Sequence, residues 1–120
     1  MTRNLPESEL KLMEIIWSLA PVRSGELAAE ARLRLGWKKS TVYTVVKKLT
    51  IKGYIESRDA VITPLRSREE VMNSRSDDLL EKGFGGSLPM FLTAFLKRER
   101  LTKQEAEELK KLIDSYTEEE

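Results

Sequence analysis

The stretch STVYTVVKKLTIKGYI, residues 40–55, decides the fold. Val42, Val45, Val46 and Leu49 recur at i, i+3, i+4 and i+7, the spacing of one helical face. Three valines are mediocre helix formers, and a strand is the competing local reading. The period, with Gly53 as a stop, favours a helix over residues 40–52. Its other face carries Ser40, Tyr43, Thr44, Lys47 and Lys48, with Thr41 at the edge. That face has hydroxyls and ammoniums but no acid, whereas a solvated helix ordinarily mixes both signs. Serine and threonine hydroxyls hydrogen-bond phosphates or base edges, and lysine contacts phosphate or guanine. Lys38 and Lys39 lead into the helix where its dipole also favours an anion. Beyond Gly53, residues 54–57 and 61–63 read as two short strands around a turn at Arg58, Asp59 and Ala60, and Pro64 follows. A hairpin directly after such a helix is the wing of a winged helix-turn-helix, with Arg58 at its tip placed either for a phosphate or the minor groove or as a free surface arginine.

Upstream, a first helix spans residues 6–19, with Leu10, Met13, Ile16, Trp17 and Ala20 on one stripe and Pro21 as its stop. Trp17 lies on that stripe and reads as core. Ser24 caps a second helix over residues 25–34, with Leu27, Ala28, Ala31 and Leu35 inward and Gly36 as a C-terminal stop. Gly36, Trp37, Lys38 and Lys39 form the short linker to the third helix. Downstream, Ser67 with Glu70 makes a capping box for a fourth helix over residues 68–82, interrupted by Gly83, Gly85 and Gly86. GFGG at 83–86 lacks the lysine and preceding strand of a phosphate-binding loop and reads as a helix–helix connection. LPMFLTAFLK, residues 88–97, is nearly apolar all round and predicts burial against a partner chain. Thr102 with Glu105 caps a last helix ending near Tyr116, with Ala106, Leu109, Leu112 and Ile113 on one side. The fold expected is mainly α with a small β-hairpin: a winged helix-turn-helix DNA-binding domain over residues 1–66, then a helical dimerisation region over residues 67–120.

Composition agrees. Of 120 residues, 40% are hydrophobic and 34% charged, which suits one core with solvated helix faces. Only residues 117–120 read as disordered. The absence of cysteine and histidine removes disulfides, thiolate metal sites and the commonest acid–base groups. Neither a catalytic constellation nor a cofactor or metal site emerges, so an enzyme is not expected. Residues 1–5 do not resemble a signal peptide and no apolar run suits a membrane span, so a cytoplasmic protein without membrane insertion is expected. The net charge of +1 hides a division. Residues 1–66 hold twelve basic and seven acidic side chains, and residues 67–120 hold nine and thirteen. Between 32 and 58 there are eight basic residues against the single acid Glu56, a surface suited to a polyanion.

With these elements placed, the chain resembles the BlaI/MecI/CopY family of bacterial repressors. The resemblance is carried, in family order, by LPESELKLMEIIW (5–17), STVYTVVKKLTIKGYI (40–55), TPLRSREEV (63–71), GFGGS (83–87) and LTKQEAEELKKLID (101–114). It implies a homodimeric repressor on a palindromic double-stranded operator, with Ser40, Thr41, Tyr43, Thr44 and Lys48 where family members meet DNA. Lys38, Lys39, Lys47 and Arg58 complete the expected DNA-binding set. The expected dimer interface is Phe84, Leu88, Met90, Phe91, Leu92, Phe95, Leu96, Leu109, Leu112 and Ile113. Tyr43 stands where a basic residue is common, Lys48 replaces a frequent arginine, and the wing lacks the Gly-Arg and tyrosine of many relatives. The copper branch senses metal through tail cysteines, which this chain lacks. The β-lactam branch is inactivated by proteolysis in the penultimate helix, at an Asn-Phe bond in some members. Ala94-Phe95 occupies the similar place, keeping the phenylalanine but not the asparagine, so the resemblance implies a candidate cleavage site there for a membrane-bound sensor protease. The alternative is a winged-helix module that binds protein through the same scaffold, because a fold does not fix its function.

Overall fold

A computed structural model describes residues 5–117. The chain forms two compact units, Met1–Asp78 and Leu79–Glu120. The first is built from α1 (Glu7–Leu19), β1 (Val22–Arg23), α2 (Ser24–Leu35), α3 (Lys39–Ile51), β2 (Ile55–Arg58), β3 (Val61–Pro64) and the opening turns of α4 (Arg68–Phe84). Leu12, Met13 and Ile16 of α1, Leu27 and Ala31 of α2, Val42 and Leu49 of α3, Ile55 of β2 and Ile62 of β3 close one apolar core. The expected inward residues of α2 and α3 are buried or half-buried. On α1 the buried face is wider than the expected stripe. Leu12 and Ile15 are buried while Leu10, Trp17 and Ala20 are only partly covered, because α1 packs against α2, α3 and β3 at once. The Trp17 indole N–H donates to the Arg66 carbonyl at 2.9 Å, an internal role that fits its reading as core.

Three local expectations about the sheet, α2 and the hairpin need correction. The sheet has three strands, not two: β1 pairs antiparallel with β3 through Val22↔Ile62 and Arg23↔Val61, giving the order β1-β3-β2. Ser24 is therefore the first residue of α2 and not its cap. The N-cap is Arg23, and the Ser24 N–H donates to the Ala60 carbonyl at 2.8 Å, extending the contact with the hairpin. Arg58 is not at the wing tip, because it ends β2 opposite Val61 and leaves Asp59 and Ala60 as a two-residue turn. Both turn residues have left-handed backbones, φ 50° and 63°, the twist that a tight antiparallel hairpin requires.

The opening of α4 is fastened to the first unit. Val71 is buried in its core. The Arg68 Nε donates to the Glu14 carboxylate at 2.7 Å, and that hydrogen bond and the carboxylate's charge raise the guanidinium above its ordinary pKa. Arg75 donates to the Leu5 carbonyl at 3.1 Å. The capping box forms as expected, with the Glu70 N–H donating to Ser67 Oγ and the Ser67 N–H to Glu70 Oε1.

The second unit contains the end of α4, then α5 (Leu88–Arg98) and α6 (Lys103–Tyr116). Gly83 does not interrupt α4, which continues to Phe84. The break comes at Gly85 and Gly86, both left-handed, where the Gly86 N–H donates to the Leu80 carbonyl. Ser87 Oγ then caps α5 by accepting from the Met90 N–H. Thr102 and Glu105 form a complete capping box on α6. No α5 residue is fully buried, and Leu88, Met90 and Leu96 are exposed. No helix among the described residues is long and apolar enough to cross a membrane. The tail reading at 118–120 lies outside the described residues, whereas Thr117 forms the C-cap of α6.

Candidate nucleic-acid interface

The linker between α2 and α3 sets up the surface. Gly36 adopts φ 71°, and its N–H donates to the Arg32 carbonyl while the Trp37 N–H reaches that of Ala31. Such a left-handed glycine satisfies the orphan carbonyls of α2 and turns the chain at once into a new helix. Two residues later Lys38 takes the N-cap position of α3 with extended backbone and no side-chain capping bond. With Val42, Val45 and Leu49 fixed in the core, helical geometry turns Ser40, Thr41, Tyr43, Thr44, Lys47 and Lys48 outward, and all six are exposed.

The face is basic and hydroxylic in three dimensions as in sequence. No acid lies in the first turn of α3. The Lys39 ammonium sits 5.7 Å from the centroid of the Tyr43 ring, a distance that suits cation–π attraction. The Thr44 hydroxyl donates to the Ser40 carbonyl at 2.9 Å and so keeps a defined rotamer. The basic residues between 32 and 58 divide by use. Arg34 pairs with Glu30, Lys52 with Glu9 and Arg58 with Glu56. Among the described residues Lys38, Lys39, Lys47 and Lys48 form no ion pair, so they retain charge for an external partner. Arg58 is turned toward Glu56 at 3.2 Å, which reduces its availability to an anion relative to the four lysines.

Beside this face lies an open hollow of about 350 Å³, lined by Ser8, Trp37, Ser40, Thr41, Thr44, Val45 and Lys48. Ser8 and Trp37 were not among the expected contacts. Ser8 belongs to a different helix, and Trp37 reads in sequence as a linker residue. Only the tertiary approach of α1 to α3 brings them together.

The expected dimer residues fall in the second unit. Phe84 and Phe91 meet edge to face with centroids 5.4 Å apart, and Phe91 and Phe95 stack at 6.2 Å. Leu92 and Leu109 are half-buried, while Leu88, Met90, Leu96, Leu112 and Ile113 are exposed. Ala94 and Phe95 are half-buried within α5. Among the described residues no group of three or more His, Cys, Asp or Glu side chains could hold a metal ion.

The chain is similar to known proteins over nearly its whole length. A family model described as the penicillinase repressor matches residues 5–115. The chain is 24% identical over 116 residues to the penicillinase repressor of Bacillus licheniformis, covering 93% of this chain and 91% of that protein. It is 23% identical over 117 residues to the methicillin resistance regulatory protein MecI of Staphylococcus aureus (strain N315), covering 94% and 95% of the two chains. It is also 27% identical over 116 residues to an uncharacterized 16.5 kDa protein of Latilactobacillus sakei, covering 93% and 80%.

Proposed function

This chain belongs to the penicillinase repressor family, and from that premise we propose that it is a DNA-binding transcriptional repressor acting as a homodimer on a palindromic operator. The observation that carries the reading is the exposed face of α3, with four lysines in and leading into the helix, three hydroxyls, Tyr43 and no acid. Residues 1–66 supply the DNA-binding part and residues 67–120 the dimerisation region. Thr44 and Tyr43 read base edges, while Lys38, Lys39, Lys47 and Lys48 hold phosphates. The exposed apolar side chains of α5 and α6 meet their counterparts in a second copy, and the two-fold symmetry of the pair matches that of the operator.

Derepression by a membrane-bound sensor protease is part of the proposal. Cleavage between Ala94 and Phe95 would cut α5 in its middle and separate α6 from the remainder. Incubation with that protease should give two fragments, and an intact chain would remove this part of the proposal.

The test of DNA binding is fluorescence anisotropy with duplex from upstream of the protein's own gene against a scrambled duplex. Each phosphate neutralised by lysine contributes about −0.9 to the slope of log affinity against log salt. Tight, salt-sensitive binding that prefers the native duplex supports the repressor. A chain that binds no duplex even at low salt points to the second reading, a winged-helix module for a protein partner. The short wing, only Asp59 and Ala60 between its strands, favours that reading.

A further inference from the structure

The two tryptophans of the described chain have opposite fates. The indole N–H of Trp17 is spent on the Arg66 carbonyl. That of Trp37 enters no hydrogen bond among the described residues, and neither do the hydroxyls of Ser8, Ser40 and Thr41. These groups line one hollow together with the unpaired Lys48 ammonium, and no carboxylate lines it. A concentration of free donors beside one cation suits an anion with several acceptor oxygens. The hollow is also open, whereas a site for a free small molecule encloses most of its ligand. An occupant held from outside, as part of a longer polymer, fits it better. Its apolar part is the Trp37 ring with Val45, which suits the carbon skeleton of a sugar.

We propose that this hollow seats one sugar–phosphate unit of the DNA backbone flanking the groove read by α3, which makes Trp37 and Ser8 contact residues outside the recognition helix. The inference rests on the DNA-binding reading. Lys48 supplies charge to the phosphate, the hydroxyls and the indole N–H bond its oxygens, and the indole ring covers the deoxyribose. Backbone contacts of this kind carry no sequence information but fix register. A seat shared by α1, the linker and α3 thus sets how far and at what angle α3 enters the groove.

The full-length chain and a labelled duplex, followed by anisotropy across a salt series, test this. Trp37→Ala should weaken binding about tenfold and Ser8→Ala about threefold, both with the salt slope unchanged, since neither side chain is charged. Lys48→Ala should lower the slope by about one. Trp37→Ala combined with Lys48→Ala should lose less than the product of the single losses, because both hold the same unit. Fully independent losses would overturn the shared seat. Trp37 also packs partly against the core, so a second readout separates contact from folding. In a Trp17→Phe chain, emission from the remaining Trp37 should change on saturation with duplex. In a Trp37→Phe chain, emission from Trp17 should not. Unchanged Trp37 emission in a chain that does bind duplex overturns this inference alone. A wild-type chain that binds no duplex overturns the repressor reading and the seat with it.

Discussion

On α3, adjacent side chains divide by chemistry, and their substitutions should divide in the same way. Tyr43 and Thr44 carry no charge and present an aromatic ring and a hydroxyl fixed by its bond to Ser40. Tyr43→Ala or Thr44→Ala should change which duplex is preferred. Lys47→Ala or Lys48→Ala should weaken binding evenly across sequences and reduce its salt dependence. Competition of a randomised duplex library against each variant checks this, and four variants indistinguishable from wild type would remove α3 from the interface. Lys52, one turn further on, has a different role. Its ammonium lies 2.7 Å from the Glu9 carboxylate, whose side chain is only 4% exposed. Removing the partner of a buried carboxylate leaves that charge uncompensated. Lys52→Ala should therefore cost about 2 kcal/mol in urea unfolding and leave duplex preference untouched. A stability loss below that of ordinary surface substitutions would show that solvent already compensates Glu9. In sequence Lys52 cannot be told from Lys47 or Lys48, since all three are lysines in one basic run. The distinction lies in Glu9, forty-three positions away.

Elements whose causes are local were legible in the sequence. Both capping boxes, Ser67 with Glu70 and Thr102 with Glu105, and the six helices of the described residues follow from side chains within a few positions of each other. The two-residue β1 was not legible, because nothing in Val22 and Arg23 demands a strand except β3 arriving alongside some forty residues later. The hollow beside α3 was hidden for the same reason. Two predictions belong at this scale. Ala60 carries a side chain at φ 63°, a region that costs residues other than glycine roughly 1 kcal/mol. Ala60→Gly relieves that strain but enlarges the unfolded ensemble. It should therefore raise stability by about 0.5 kcal/mol, visible as a higher urea midpoint, and a lower midpoint would show that the turn is unstrained. In the α6 cap, hydrogen bonds from Thr102, first its backbone N–H and then its side chain, hold the Glu105 carboxyl below the ordinary glutamate pKa. The folded value lies below the unfolded one, so the cap's contribution is complete above the ordinary glutamate range. It is lost as pH falls through the lowered folded value. The protection factor of the Thr102 amide, its exchange divided into the intrinsic rate at each pH, should fall over that acid window in the wild type, and Glu105→Gln should make it independent of pH. An equal acid response in both chains would place the titrating group elsewhere.

At the scale of the whole molecule, the proposed DNA-reading helix α3 and the proposed pairing helices α5 and α6 lie in different compact units, so the two roles should be separable by substitution. α5 supplies the argument. Within one chain none of its residues is buried, yet Leu88 and Met90 are 53% and 58% exposed near its start. Large apolar side chains gathered on one helix and left uncovered by their own chain mark an interaction surface. Phe91 is a poor probe of that surface because it already packs between Phe84 and Phe95 in the same chain, so a charge there would disturb the protomer itself. Met90 makes no such ring contact. Met90→Glu should leave helicity and the urea transition of the first unit intact while shifting the sedimenting species from dimer to monomer. Its consequence for DNA follows from effective concentration. A dimer that has placed one α3 holds its second near the other half-site, so a two-site duplex binds far more tightly than one site alone. The monomer should keep its affinity for a single half-site and lose about a hundredfold on the full operator. A Met90→Glu chain that still sediments as a dimer would move the interface off this part of α5. A true monomer with undiminished operator affinity would instead show that one α3 supplies the binding alone, and the match between dimer and operator symmetry would no longer be needed.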